Sequence, residues 1–122
     1  MTEGLLIELA DEVVKSGAEF LLVTLSNAIQ VDPRPEFRTA HMSALNVSDL
    51  FYPDTRIAEL ADRESINRLI LAPILYEKAK IHGTYFHGFE NTQLGSGHWN
   101  ENGHAIAGEL IAERICSDMR SK

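Results

Sequence analysis

The chain is 122 residues long, 44% hydrophobic and 24% charged, with 11 Lys plus Arg against 18 Asp plus Glu and a formal net charge of −7. These proportions exclude a disordered or collagen-like polymer, and the length suits one domain and not two. Apart from Lys78 and Lys80 the mid-chain basic residues are scattered singly, so no basic patch invites phosphate backbones or anionic lipid, and neither nucleic acid nor membrane is an expected partner.

Apolar residues at Leu5, Leu6, Leu9, Ala10, Val13 and Val14 have helical spacing, and Gly17 supplies a stop. Phe20 to Leu25 follows as an unbroken apolar run, the pattern of a parallel strand covered on both faces. Ser26 to Pro53 has no steady period, contains Pro33 and Pro35, and reads as a long connection with a short helix near Phe37 to Leu45. A second helix is expected over Asp54–Arg63, with Ile57, Leu60 and Ala61 on one face, and a second strand over Ile66–Leu71. Pro73 suits the first turn of the next helix, which Gly83 ends. Thr84 to Gly97 is aperiodic and aromatic. The last helix runs from about Glu101 to Met119, with Ile106, Leu110, Ile111 and Ile115 as its apolar stripe.

This order predicts an α/β fold, a partial doubly wound (flavodoxin-like) parallel sheet of about two strands with four to five helices around it. Two parallel strands alone make a poor sheet, and the open edge of Phe20–Leu25 is an association surface. Either a strand is hidden in Ser26–Pro53 or the missing neighbours come from another chain. The second reading is favoured, and it predicts a homo-oligomer or a complementing N-terminal polypeptide.

No apolar run approaches the roughly 18–20 residues of a membrane span. Met1-Thr2-Glu3-Gly4 carries acid where a secretory signal carries base, which favours a cytoplasmic location for the chain as given. The single Cys116 excludes an intramolecular disulfide and reads as packing on the last helix.

The chemistry is concentrated in Gly97-His98-Trp99-Asn100-Glu101-Asn102-Gly103-His104. Asn100 is a good N-cap for the helix that follows, so His98 sits in a loop fixed by a helix N-terminus. An imidazole held there suits proton transfer near neutral pH and is a candidate general base. The pattern G-H-W-N-x-x-G-H before an apolar helix resembles the last motif of the SGNH (GDSL-type) ester hydrolases, in which a catalytic His precedes the C-terminal helix. The Phe20–Leu25 run resembles that family's fourth strand region, and Ile66–Pro73 with Ile74–Gly83 resembles its fifth strand and following helix.

The resemblance implies a serine ester hydrolase acting on small acyl or acetyl esters without metal or cofactor, with His98 as its base and Ser26 and Trp99 near the substrate. Three features depart from the family. Gly95 stands where an Asp usually orients the imidazole, with Glu90 and Glu101 as the acids nearby. No Gly-Asp-Ser nucleophile motif and no Gly-x-Asn-Asp motif occur. Residues 1–122 therefore read as a single incomplete domain resembling the C-terminal half of an SGNH hydrolase, inactive alone. The alternative is a non-catalytic homo-oligomeric assembly or binding module derived from that fold.

Ser26 follows the first strand at the edge where α/β proteins place their sites, but lacks a glycine-assisted sharp turn and reads as a pocket residue. Ser96 lies too close to His98 along the backbone to serve it and reads as a turn residue. His82, His87, His98 and His104 lack the spacing and acidic or thiol companions of a zinc site. His104 reads as packing or capping, His41 as a solvated loop residue, and Tyr85–Phe89 as pocket lining or sheet cover. No glycine-rich phosphate loop follows either strand, which excludes a nucleotide-binding module.

Overall fold

Parallel pairing of Leu22 with Arg68, Val23 with Leu69 and Thr24 with Ile70 joins the two apolar runs into the only sheet found among the described residues. The computed structural model describes residues 2–122. In chain order the elements are α1 (Thr2–Lys15), β1 (Leu22–Thr24), a 3-10 turn (Ala28–Val31), α2 (Pro35–Leu45), α3 (Tyr52–Arg63), β2 (Arg68–Ile70), α4 (Leu71–His82) and α5 (Glu101–Arg120). The fold is mixed α/β and mostly helical, with five α-helices and two parallel strands.

Both strands are shorter than their apolar runs. Leu71 already belongs to α4, so β2 passes into a helix without a loop, and Pro73 falls in that helix's first turn. Gly83 ends α4 in the left-handed conformation at φ 63° and returns its N–H to the Ala79 carbonyl, a geometry that glycine adopts without a Cβ clash.

The core lies where α4 meets the sheet and α5. Leu71, Leu75 and Ala79 of α4 are fully buried against Val31, Leu69, Phe86 and Ala107, with Ile106, Leu110 and Ile111 of α5 packed around them. Each fully buried leucine here contributes about 1.5–3 kcal/mol. Leu60 and Ala61 bury the inner face of α3, as their spacing predicts.

The long connection is more ordered than the sequence suggests. It holds the 3-10 turn and α2, and no strand, so no hidden third strand completes the sheet. A buried polar cluster ties it down. Asp54 of α3 accepts from Gln30 Nε2 at 2.6 Å and from Thr24 Oγ1 at 3.2 Å, while Arg38 of α2 donates to the Gln30 carbonyl. These bonds link β1, the 3-10 turn, α2 and α3. His41 lies on α2, exposed, and not in a loop.

Burial corrects two further expectations, on β1 and Cys116, and leaves most of α1 outside the core. β1 is only half-buried at every residue, and Leu25 beyond it is 63% exposed, because nothing in these residues covers its second face. On α1 only Ala10 is buried, while Leu5, Leu9 and Val14 face outward. That helix is tethered through Glu3, which pairs with Arg56 and Arg63 of α3. Cys116 is exposed on the outer side of α5 and does not pack.

Candidate functional site

The loop that carries His98 is built from Asn100 outward. The Asn100 side chain accepts from the Gly103 N–H and so caps α5. Its amide donates to the carbonyls of Tyr85 and Gly88, and its backbone N–H donates to the Phe86 carbonyl at 3.0 Å. One asparagine thus starts the helix and fastens it to the segment leaving α4. Gly103 allows this close approach, since a Cβ there would lie 2.4 Å from the Phe86 oxygen.

Further toward the site, His87 and Trp99 form an isolated antiparallel bridge. The Gly88 N–H donates to the His98 carbonyl at 3.0 Å, and the Gly95 N–H to the His87 carbonyl at 2.8 Å. The backbone on either side of His98 is therefore held by residues 87 and 88.

Side chains complete the arrangement. His87, only 4% exposed, places Nδ1 2.8 Å from the Gly97 carbonyl and Nε2 3.1 Å from Ser26 Oγ. A carbonyl can only accept, so Nδ1 carries a proton. Burial pushes the His87 pKa below histidine's ordinary value, the Gly97 carbonyl pulls it back in part, and nearby His98 adds to the lowering. The ring is neutral at pH 7 and its Nε2 is an acceptor facing Ser26. Trp99 Nε1–H, a donor only, reaches Ser26 Oγ at 3.0 Å. All roles are then fixed: Trp99 donates to Ser26, Ser26 donates to His87, and His87 donates to Gly97.

These residues line an open cleft of about 460 Å³ with Leu25, Asn27, His98 and His104. The predicted base His98 is exposed at its rim and makes no side-chain hydrogen bond among the described residues. His104, on the first turn of α5, packs edge-on against Trp99 with ring centroids 5.6 Å apart, the packing role expected of it. The structure thus gathers all three sequence-nominated residues, Ser26, His98 and Trp99, at one cleft at the C-terminal end of β1.

His87 is the residue that sequence reasoning missed. In the sequence it reads only as a metal-ligand candidate or as part of an aromatic segment, and its link to Ser26 spans 61 residues, which no local pattern signals. Tyr85–Phe89 divides its roles: Phe86 is core, His87 lines the cleft, Tyr85 faces the Arg34 guanidinium, and Phe89 is largely exposed.

Gly95, where the resemblance would put an Asp, has little room for a side chain. Gly95 has φ 80°, and a Cβ there would come within 3.0 Å of Asp32 Oδ2 and 3.2 Å of the Tyr85 ring. Asp32 itself is buried and paired with Arg34 at 2.8 Å. Burial pulls its pKa upward, but the side-chain and backbone hydrogen bonds from Arg34 outweigh this and hold it below the ordinary carboxylate value. Neither Glu90 nor Glu101 hydrogen-bonds to His98 among the described residues. Among those residues no group of three His, Cys, Asp or Glu side chains is placed to hold a metal, and no helix is long and apolar enough to cross a membrane.

The chain matches no family model, no curated protein and no solved structure.

Proposed function

We propose that the chain is the base-bearing part of an SGNH-type serine ester hydrolase, with His98 as the general base of an acyl- or acetyl-esterase site. The observation that carries this reading is the setting of His98. Its ring faces solvent at the cleft rim, while Gly97 and Trp99, its two neighbours in the chain, are both held by the His87–Ser26 pair. A base needs an accessible imidazole on a backbone that does not wander, and this combination supplies both. His98 would take the proton of an attacking hydroxyl and return it to the leaving alcohol.

These 122 residues contain no Gly-Asp-Ser motif, so the nucleophile and oxyanion donors of such a site are supplied from outside them. The sheet offers the place. A doubly wound sheet of order 2-1-3-4-5 sets its fourth and fifth strands side by side and parallel, as β1 and β2 are. The free edge of β1 is then where further strands add, bringing a Gly-Asp-Ser turn to the cleft's open side.

The test is direct. The coding sequence upstream of Met1 and its neighbouring genes are read for a Gly-Asp-Ser segment, which is co-produced with this chain and assayed on p-nitrophenyl acetate. Hydrolysis that His98→Ala lowers by ~100-fold or more supports the reading. Hydrolysis indifferent to His98→Ala, or none with any such segment, overturns it.

A second reading, a non-catalytic homo-oligomer, is favoured by the free β1 edge with outward-facing Leu25 and by the exposed α1 leucines. Sedimentation at micromolar concentration tests it, and a monomeric mass rules it out.

A further inference from the structure

Ser26 and His87 form a contact that the proposed role of His98 does not use as chemistry. The hydroxyl lies 3.1 Å from an imidazole nitrogen that is an acceptor in the neutral ring, because the other nitrogen carries the proton donated to the Gly97 carbonyl at 2.8 Å. That carbonyl fixes the ring's orientation and tautomer, the task a carboxylate performs in a serine–histidine–aspartate triad. The serine is partly exposed, at the C-terminal end of a parallel strand, and lines the cleft with Leu25 and Asn27. A serine oxygen has two lone pairs. One accepts from Trp99, and the other is left for an electrophile entering the cleft.

From this geometry we infer that Ser26 is an activatable nucleophile with His87 as its base, making the cleft a small acyl-transfer centre within these 122 residues. The electrophiles it takes are small acyl esters and their phosphonyl analogues. In the first step Ser26 Oγ bonds to the carbonyl carbon while its proton passes to His87 Nε2. The tetrahedral adduct collapses by breaking the bond to the ester oxygen, which leaves as the alcohol with that proton. Water, deprotonated by the freed Nε2, then cleaves the acyl-serine to the acid and restores the hydroxyl. With a fluorophosphonate the Oγ–P bond forms, the P–F bond breaks, and fluoride and the serine proton leave, so the adduct marks the nucleophile permanently.

The sequence argues against Ser26 because it lacks a glycine-assisted sharp turn. The structure replaces that requirement: the strand end already presents the hydroxyl at the cleft, and the base comes from a segment 61 residues away. This inference stands apart from the His98 reading, since it needs no segment outside the chain.

The experiment treats the purified 122-residue chain with a fluorophosphonate and maps the adduct by peptide mass spectrometry. The expected result is a phosphonyl adduct on Ser26, formed at a rate that falls on the acid side as His87 gains a proton. His87→Gln, which keeps a hydrogen-bonding side chain but removes the base, is expected to slow it by ~100-fold with the circular dichroism spectrum unchanged. Absence of an adduct on Ser26, an adduct only elsewhere, or a rate the same in His87→Gln overturns the inference. If His87→Gln fails to fold, the pH profile of the unaltered chain decides: a flat profile overturns the assignment and an acid-side fall sustains it. The chain alone is assayed beside the co-produced pair and its hydrolysis subtracted, so a Ser26–His87 contribution counts neither for nor against His98, and either idea can fail alone.

Discussion

Trp99 Nε1 donates to Ser26 Oγ at 3.0 Å across 73 residues of chain, joining the end of β1 to the loop just before α5. The bond gives a bulky, half-buried indole its polar partner and seats the loop on the sheet's edge. It also sets up a contrast between two histidines. His87 is enclosed by this network, and His98, next to Trp99, stays outside it.

That contrast predicts opposite stability effects. His98→Ala should change folding stability by no more than ~0.5 kcal/mol, because the exposed ring has no hydrogen-bond partner to lose. His87→Ala should cost ~2–4 kcal/mol, because it opens a cavity and strands Ser26 and the Gly97 carbonyl. Urea midpoints of the two variants check this, and equal losses would refute it.

A pH dependence follows from the same burial. His87 in the folded chain has a pKa below histidine's ordinary value of 6.5. Between those two pKa values the unfolded chain binds a proton that the native chain refuses, so stability rises with pH through that window and levels off above ~6.5. His87→Gln should reduce the gain between about pH 5 and about pH 8. Urea midpoints at both values measure it, and an unchanged gain would exclude His87 as its source.

The N-terminus of α5 supplies a third test. Asn100→Ala removes the cap on Gly103 and leaves the carbonyls of Tyr85 and Gly88 without their donor. A loss of ~2–4 kcal/mol is expected. Asn100→Asp keeps an accepting cap but not the amide donors, and should fall between Asn100→Ala and the unaltered chain in thermal unfolding.

Two glycines on the same helix should respond with opposite sign. Gly103→Ala places a methyl 2.4 Å from the Phe86 oxygen and should cost ~1–3 kcal/mol. Gly108→Ala enters open space in a helix interior and should add ~0.5–1 kcal/mol. Thermal unfolding of both variants separates local packing from helix propensity.

The core carries the last prediction. Leu75→Ala, at a position with no exposure, should cost ~2–5 kcal/mol. Leu5→Ala, at 62% exposure, should cost no more than ~0.5 kcal/mol in the monomer. A Leu5→Ala loss that grows with protein concentration would show that a second copy covers α1.

Much of this protein is legible in its sequence because the signals are local. Ile57, Leu60 and Ala61 mark the inner face of α3, Gly83 ends α4, and Asn100 caps α5, each through geometry set within about one helical turn. The loop before α5 that carries His98 follows from the same reasoning. Tertiary packing alone decided the rest. Whether α1 hides its leucines depends on what lies opposite, and opposite Leu5, Leu9 and Val14 these residues place nothing. Burial also assigned the roles of the histidines. His87 gained a serine, a carbonyl and a neutral ring by being enclosed between segments 61 residues apart, a relationship that no periodicity or cap can encode.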